Sequence, residues 1–273
     1  MKFIELIIII STIFWSYITF ANVSVLSGDC SGTLFKMPGM NVHQKALILT
    51  NGHCIGFGKA CEGHCPDSGE LFIDHQVNGN VIVHKDNTEI NEHVGYKKVL
   101  FATMTGVDIA IIELDVNYLS LQKKGYKIYS LARELPTLNM MLQFKSYNRN
   151  ILSKCVVDKA VSFLKEDIWI WNNSYRMKAD SQCQFIHGQS GTAGIASNNE
   201  FIYALAQTGY LGDNEPCSWD SPCELNPLTG NINMAEKGQG YAVPVALLYE
   251  CYNKNSKKFN FNLSSCHINF RRH

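Results

Sequence analysis

The stretch ALILTNGHC, residues 46–54, decides how the rest of the chain is interpreted. Its first four residues are apolar and predict a buried β-strand, and an Asn-Gly pair ends that strand soon afterwards. His53 and Cys54 follow the turn directly. A histidine at the boundary between a strand and a loop is a candidate for proton transfer, because its ring changes charge near neutral pH.

Two further stretches supply the partners that such a histidine needs. GVDIAII, residues 106–112, places Asp108 just before another apolar strand, and HGQSG, residues 187–191, places Ser190 in a glycine-rich turn. Acyl-transfer hydrolysis uses a hydroxyl nucleophile, an imidazole that takes its proton and a carboxylate that holds the imidazole's tautomer. The chain order His, Asp, Ser is that of one of the unrelated scaffolds that carry this triad.

Each of these residues also has a plain structural interpretation. His53 beside Cys54 fits a half-buried structural histidine, Asp108 fits a turn or cap residue, and Ser190 fits an ordinary turn. We favour the catalytic interpretation because the three stretches occur together and in this order.

The composition argues against charged macromolecular partners. With 273 residues, of which 46% are hydrophobic and 18% charged, the chain is long enough for a substantial core. Lysines plus arginines equal aspartates plus glutamates, so the formal net charge is zero. A neutral chain offers no electrostatic basis for binding nucleic acid or an anionic membrane surface, and we expect neither as a partner.

Residues 1–21 are predicted to be a secretory signal peptide. Lys2 gives the positive start, residues 6–20 are predominantly apolar, and Thr-Phe-Ala at residues 19–21 is a plausible cleavage site. An uncleaved membrane anchor is the alternative, but the apolar stretch is short for a full span. We expect a protein secreted to an extracellular or periplasmic space, with no membrane attachment after cleavage.

The cysteines agree with export. All ten lie outside the leader, and their even number predicts up to five disulfides in an oxidising compartment. Zinc is the alternative for the dense cluster CEGHC at residues 61–65, but a structural zinc site usually needs a second such cluster. Cys217 and Cys223 are too widely spaced to form one. We expect no metal and no other cofactor.

The pattern along the chain predicts an all-β fold. Short apolar or alternating runs separated by Gly, Asn, Asp and Pro are typical of a barrel or sandwich, and only residues 245–252 have helical apolar spacing. Residues 210–237 are polar and turn-rich, which predicts a long surface loop stapled by its two cysteines. The predicted strands are residues 45–50, 71–76, 80–84, 97–104, 109–114, 138–147, 153–164, 168–172, 194–197, 201–210 and 239–244.

Together these segments resemble the chymotrypsin-like or trypsin-like (PA clan) serine proteases. The similar blocks are CSGTLF at residues 30–35 with residues 46–54 for the histidine, residues 107–114 for the aspartate, GQSG at residues 188–191 for the nucleophile, and residues 204–209 and 240–244 for the substrate-edge and last strands. The resemblance implies two six-stranded antiparallel β-barrels with a short C-terminal helix. It places residues 22–125 in the first barrel, with His53 and Asp108, and residues 126–273 in the second, with Ser190.

The resemblance also implies a role for each site residue. Ser190 would attack the carbonyl carbon, His53 would act as general base and then general acid, and Asp108 would orient His53. The backbone N–H groups of Gly188 and Ser190 would form the oxyanion hole.

Substrate selection follows from the same resemblance. The base of the substrate pocket would be Gln184, with walls from His187, Thr208 and Gly209 among others. Since no carboxylate lies at that base, we expect a polar pocket that accepts glutamine, glutamate or a medium polar side chain rather than lysine or arginine.

One residue separates the chain from the digestive and clotting members of the family. Those members have an aspartate before the nucleophile, which pairs with an amino terminus released by cleavage. Gln189 cannot form that ion pair, and the mature chain would begin near Asn22, a few residues before Cys30. The resemblance is therefore closer to glutamyl endopeptidases that need no such activation, and we expect hydrogen bonds from Gln189 to set the oxyanion loop.

The expected disulfides come from two sources. The resemblance implies Cys30–Cys54 and Cys155–Cys183. Proximity along the chain favours Cys61–Cys65, Cys217–Cys223 and Cys251–Cys266.

The sequence thus predicts a monomeric secreted serine endopeptidase whose partners are a polypeptide substrate and, as a further candidate, a protein inhibitor. The alternative is a catalytically inactive homologue that acts as a secreted binding module, because fold does not dictate function. The unusual Asn51-Gly52 before His53 and Thr192-Ala193 after the nucleophile turn keep that alternative open. A disulfide-rich surface protein with coincidental motifs is the third interpretation.

Overall fold

A computed structural model describes residues 22–25, 29–58, 60–63, 65–85, 90–147, 149–196, 201–211 and 215–268. The expected signal peptide, residues 1–21, lies outside the described residues, and so does His64 of the cysteine-rich cluster. In the part of the chain that the structure describes, no helix is both long and apolar enough to cross a lipid bilayer.

Six strands of the first half close into an antiparallel barrel. They are β1 (Asn22–Val25), β2 (Cys30–Lys36), β3 (Lys45–Thr50), β4 (Leu71–His84), β5 (Asn91–Thr103) and β6 (Ile109–Asn117). Pairing runs in the order β1, β4, β5, β6, β3, β2, and β2 pairs back with β1. The apolar side chains of these strands fill the barrel interior, and Leu34, Ile48 and Phe101 among them are fully buried.

The second half closes a further ring of six antiparallel strands. Its strands and those around it are β7 (Tyr129–Leu131), β8 (Met141–Ser146), β9 (Ile151–Glu166), β10 (Trp169–Met177), β11 (Ala193–Ala196), β12 (Phe201–Gly209), β13 (Cys223–Leu225), β14 (Ile232–Met234), β15 (Gly240–Pro244), β16 (Tyr252–Asn253) and β17 (Lys258–Phe259). The ring runs β12, β11, β8, β9, β10, β15 and back to β12. Strand β7 pairs in parallel with both β2 and β12 and so joins the two barrels.

The described helices are few and short. They are α1 (Tyr118–Lys123) and the 3-10 helices Gly52–Cys54, Cys61–Gly63 and Ala246–Cys251. The expectation of an all-β chymotrypsin-like fold is confirmed. The predicted C-terminal helix over residues 245–252 is a six-residue 3-10 helix, because apolar residues three apart also fit three residues per turn.

Two strand predictions need correction. Residues 71–76 and 80–84 belong to one strand, β4, whose pairing with β5 shifts register between Gln76 and Gly79. The irregularity accounts for the turn-like composition there, because a bulge also uses glycine. Residues 210–237 are more than a surface loop: β13 and β14 form a hairpin, and β13 pairs with β9.

Five disulfides link the described cysteines with the expected pairings. They are Cys30–Cys54, Cys61–Cys65, Cys155–Cys183, Cys217–Cys223 and Cys251–Cys266. The sulfurs of Cys30 and Cys54 and a ring nitrogen of His53 lie within 4.8 Å of one another. Cys30 is bonded to Cys54 and Cys61 is bonded to Cys65, so none of these four sulfurs is a free thiolate that could bind a metal.

Candidate active site

A cleft of about 320 Å³ contains His53, Asp108 and Ser190. His53 lies in the 3-10 helix that follows β3, and Asp108 lies immediately before β6, so both come from the first barrel. Ser190 lies three residues before β11 of the second barrel. The structure therefore brings together, from two barrels, the three residues that the sequence analysis selected.

Asp108 fixes the imidazole of His53. Its side chain is fully buried, and its Oδ2 lies 2.8 Å from His53 Nδ1. The backbone N–H of His53 donates to the other oxygen, Oδ1, across 3.1 Å. Asn51 Nδ2 in turn donates to the Asp108 carbonyl across 2.8 Å. A neutral ring that donates from Nδ1 carries its lone pair on Nε2, the form that a general base needs.

The surroundings also set the charge of this imidazole. Burial alone would lower the pKa of His53, but the charge and hydrogen bond of Asp108 act in the opposite direction, helped by the charges of Glu166 and Asp220. The balance raises the pKa of His53 above its usual value. The protonated ring is thus stabilised, as a group that must hold a proton during a reaction requires.

Ser190 lies in a turn shaped for anion binding. The Ser31 N–H donates to the Ser190 carbonyl across 2.8 Å and fixes the turn against the first barrel. Gly188 has a φ of +90°, a left-handed conformation that side chains rarely adopt. Within the described structure, the N–H groups of Gly188 and Ser190 donate no hydrogen bond, and none joins His53 Nε2 to Ser190 Oγ. Such catalytic bonds are often long before substrate binds.

Gln189 holds this turn from behind. Its Oε1 accepts from the Ile186 N–H across 2.9 Å, and its Nε2 donates to Ser153 Oγ across 3.0 Å. Gln189 is almost fully buried, and Ser153 Oγ donates onward to the Gln184 carbonyl. A neutral hydrogen-bonded network therefore occupies the place of the ion pair that an aspartate would form.

Gly52, the unusual residue before His53, has a steric explanation. A Cβ at this position would lie 2.0 Å from the Thr103 carbonyl oxygen and 3.1 Å from Asp108 Oδ1. Any side chain would push the His53 turn away from β5 and from Asp108. The departure from the family pattern therefore supports the geometry of the His53–Asp108 pair.

The predicted substrate residues do not all reach the cleft. His187, Thr208 and Gly209 line it, whereas Gln184 is exposed and is not among the residues that line it. Exposure alternates along the chain here, and buried Cys183 and Phe185 on either side turn Gln184 outward. The Phe185 ring packs edge-on against Phe144, with ring centroids 5.0 Å apart.

Sequence reasoning missed several residues that line the cleft. Glu166 and Trp171 come from the long hairpin of β9 and β10, and Trp219 and Asp220 come from the segment before β13. The Trp219 ring approaches the His53 ring edge-on, with centroids 6.4 Å apart. The charged pair Glu166-Asp167, between the predicted strands 153–164 and 168–172, is a sequence signal that could have indicated Glu166. The other residues reach the site through hairpin length and strand pairing, which no local pattern encodes.

Comparisons with known proteins find similarity only among solved structures. No family model matches the chain, and no curated protein sequence matches it. The MamO protease domain from Magnetospirillum magneticum is similar over 84% of this chain and 94% of its own, with 12% identity and a TM-score of 0.49. A Glu endopeptidase is similar over 80% of this chain and 84% of its own, with 17% identity and a TM-score of 0.43. Human heparin binding protein is similar over 84% of this chain and 86% of its own, with 12% identity and a TM-score of 0.47.

The chain has the chymotrypsin-like fold. Its two closed six-stranded rings and the order in which their strands pair define this fold. The similarity to the solved structures is one of fold alone, so activity has to be argued from the site.

Proposed function

We propose that the chain is a secreted serine endopeptidase that cleaves polypeptides through an acyl-enzyme on Ser190. The observation that carries the proposal is the pair formed by His53 and the fully buried Asp108, in the cleft that also holds Ser190. A buried carboxylate that orients a histidine next to a serine is the arrangement that activates a hydroxyl nucleophile. The five disulfides suit an oxidising, extracytoplasmic compartment.

Each step of the reaction has a residue to carry it. Ser190 Oγ attacks the substrate carbonyl carbon while His53 Nε2 takes the hydroxyl proton, and Asp108 stabilises the imidazolium. The N–H groups of Gly188 and Ser190 donate to the oxyanion of the tetrahedral intermediate. His53 then gives its proton to the leaving amine, which leaves the acyl group on Ser190. A water, deprotonated by His53, releases the acid and restores the serine.

The free state of the two amides supports this assignment of the oxyanion hole. Buried amides normally donate to a partner, and unpaired donors in a cleft are sites where a developing negative charge gains hydrogen bonds. The Gly188 N–H shares its peptide plane with the His187 carbonyl, which accepts a hydrogen bond from Arg149 Nε across 2.8 Å. The plane that carries this N–H is therefore anchored on its carbonyl side.

Labelling with a fluorophosphonate probe tests the proposal. We expect one probe per molecule on Ser190, because only an activated hydroxyl attacks the phosphorus and displaces fluoride. Labelling should disappear in Ser190→Ala and fall by at least about a hundredfold in His53→Ala, which removes the general base. Ser256→Ala and His43→Ala, at exposed positions away from the cleft, are matched controls that should label like the wild type.

Absence of labelling in folded protein would overturn the endopeptidase proposal. The inactive binding module would then be the better account, because the same cleft would remain without chemistry. Labelling that persists in Ser190→Ala would show that another hydroxyl reacts and would equally contradict the proposal.

A further inference from the structure

Glu166 is a buried acid that the proposed mechanism does not use. It ends β9, only 2% of its surface is exposed, and it lines the same cleft as His53. Its Oε1 accepts a hydrogen bond from the Asp220 N–H across 2.8 Å. Its Oε2 is buried and has no hydrogen-bond partner within the described structure.

A carboxylate in this position lacks a counterion. Among the described residues, no lysine or arginine forms an ion pair with Glu166. The one arginine that lines the cleft, Arg149, is engaged elsewhere: its Nε donates to the His187 carbonyl across 2.8 Å, and its NH2 lies 3.5 Å from Asp29. Burying an unpaired carboxylate is costly, so the free cleft holds a group that gains from a cationic ligand.

The groups around Glu166 suit the side chain of a basic amino acid. Asp220 lies in the same cleft and adds a second carboxylate. Trp219, which also lines the cleft and is exposed, offers apolar and aromatic surface. Lysine and arginine combine an alkyl stem, which packs on such surface, with a cation that pairs with carboxylates and aromatic faces.

The expected pocket elsewhere in the cleft is closed. A Cβ placed on Gly240 would lie 2.6 Å from the Phe185 ring, and one on Gly209 would lie 3.3 Å from Phe185 Cβ. The space between these two glycines is therefore occupied by Phe185, which is itself buried. Glu166 borders a part of the same cleft that Phe185 does not fill, and we take this part as the place for a substrate side chain.

We propose that Glu166 is a specificity-determining residue that binds a lysine or arginine side chain of the polypeptide in the cleft. The inference rests on the proposed endopeptidase function and replaces the expectation of a glutamine- or glutamate-accepting pocket. A cationic side chain in the cleft supplies the counterion that Glu166 lacks among the described residues. An acidic side chain meets two carboxylates, Glu166 and Asp220, and is disfavoured.

The pKa of Glu166 supports the same assignment. Burial raises the pKa to about 7, and the charge of Asp220 acts in the same direction, while the nearby Thr208 side chain, the Asp220 N–H and the charge of His53 lower it. A bound ammonium or guanidinium favours the ionised carboxylate, so the acid is held close to ionisation until a cation arrives.

The test compares cleavage of a random peptide mixture by wild type, Glu166→Gln and Asp167→Asn. Glutamine keeps the shape and the Oε1 acceptor but removes the charge. Asp167 is the matched control: it is the next residue, exposed, and outside the cleft lining, with a φ of +50° that asparagine tolerates. We expect the wild type and Asp167→Asn to cleave bonds with lysine or arginine at one fixed position near the cut. Glu166→Gln should lose that preference by about tenfold or more relative to methionine.

A second measurement uses the wild type alone and does not depend on folding of a variant. Butylguanidine should slow fluorophosphonate labelling of Ser190, and butylurea, its uncharged counterpart of similar shape, should not at equal concentration. Equal effects of the two compounds, or wild-type cleavage with no basic preference, would overturn the role of Glu166 while leaving the endopeptidase function intact. Absence of both labelling and cleavage would instead overturn the proposed function.

Discussion

Gln189 Nε2 donates a hydrogen bond to Ser153 Oγ across 3.0 Å. This bond connects the residue before Ser190 to the start of strand β9. The Ile186 N–H donates to the same side chain from the other direction. The turn that carries Ser190 is therefore held by neutral hydrogen bonds within the second barrel. Its geometry depends on these bonds rather than on an ion pair.

The first prediction concerns this network. Gln189→Leu leaves the Ile186 N–H without its acceptor and should lower the free energy of unfolding by about 1–3 kcal/mol. It should also slow fluorophosphonate labelling by about tenfold or more, because a displaced turn misplaces oxyanion donors. Ser153→Ala removes the bonds to Gln189 Nε2 and to the Gln184 carbonyl but leaves the Ile186 N–H with its acceptor, so it should slow labelling less than Gln189→Leu. Labelling at the wild-type rate in Gln189→Leu would contradict the role of this side chain.

The second prediction concerns the buried carboxylate beside His53. Asp108→Asn should lower kcat by about 10⁴-fold, because an amide can hold the wrong tautomer of the ring. Since the charge of Asp108 raises the pKa of His53, its removal should move the acid limb of the kcat/KM profile to lower pH. A pH profile of the purified variant measures both effects. An acid limb that stays at the wild-type pH would show that Asp108 does not control the ionisation of His53.

The third prediction concerns stability and pH. The pKa of Glu166 is raised from 4.5 to about 7, so between these pH values the folded state holds a proton that the unfolded state has released. The free energy of unfolding therefore falls as pH rises through this window, by about 3 kcal/mol from this group.

Urea unfolding of Ser190→Ala with and without Glu166→Gln, at pH 4 to 8, measures this contribution without self-digestion. The variant with glutamine should gain stability relative to its parent as pH rises. A difference that is independent of pH would contradict the raised pKa of Glu166.

The fourth prediction concerns the turn before His53. Gly52→Ala should destabilise the fold by about 1–3 kcal/mol and slow labelling, because its Cβ would collide with the Thr103 carbonyl. Gly95→Ala is a matched control in β5, the strand that contains Thr103, where the nearest atom to a new Cβ lies at an ordinary 3.4 Å. Thermal unfolding of the two variants compares them. Equal losses of stability in the two variants would contradict the steric explanation for Gly52.

The local patterns that could be read from the sequence are those that a few neighbouring residues determine. Strand β3 was predicted with its observed bounds, because apolar residues followed by Asn-Gly form both the strand and its end. The expectation that Gln189 makes hydrogen bonds rather than an ion pair followed from the chemistry of its amide side chain. The selection of His53, Asp108 and Ser190 came from three short blocks, which the structure brings into one cleft.

The features that escaped prediction depend on pairing between distant segments. Glu166 reaches the cleft because β9 is long and is flanked by both β10 and β13. Phe185 fills the expected pocket because Gly209 and Gly240, on two different strands, leave space for its ring. No pattern within one segment encodes such relationships, so the full lining of the cleft could not be predicted from the sequence.

A burst experiment with 4-nitrophenyl acetate tests the central claim most directly. Ser190 Oγ should take the acetyl group and release 4-nitrophenol, and the account predicts a rapid burst of about one equivalent of 4-nitrophenol per molecule. Mass spectrometry should then find the acetyl ester on the peptide that contains Ser190, and neither signal should appear in Ser190→Ala. A folded, disulfide-bonded protein that gives no burst and no ester on Ser190 would contradict the account.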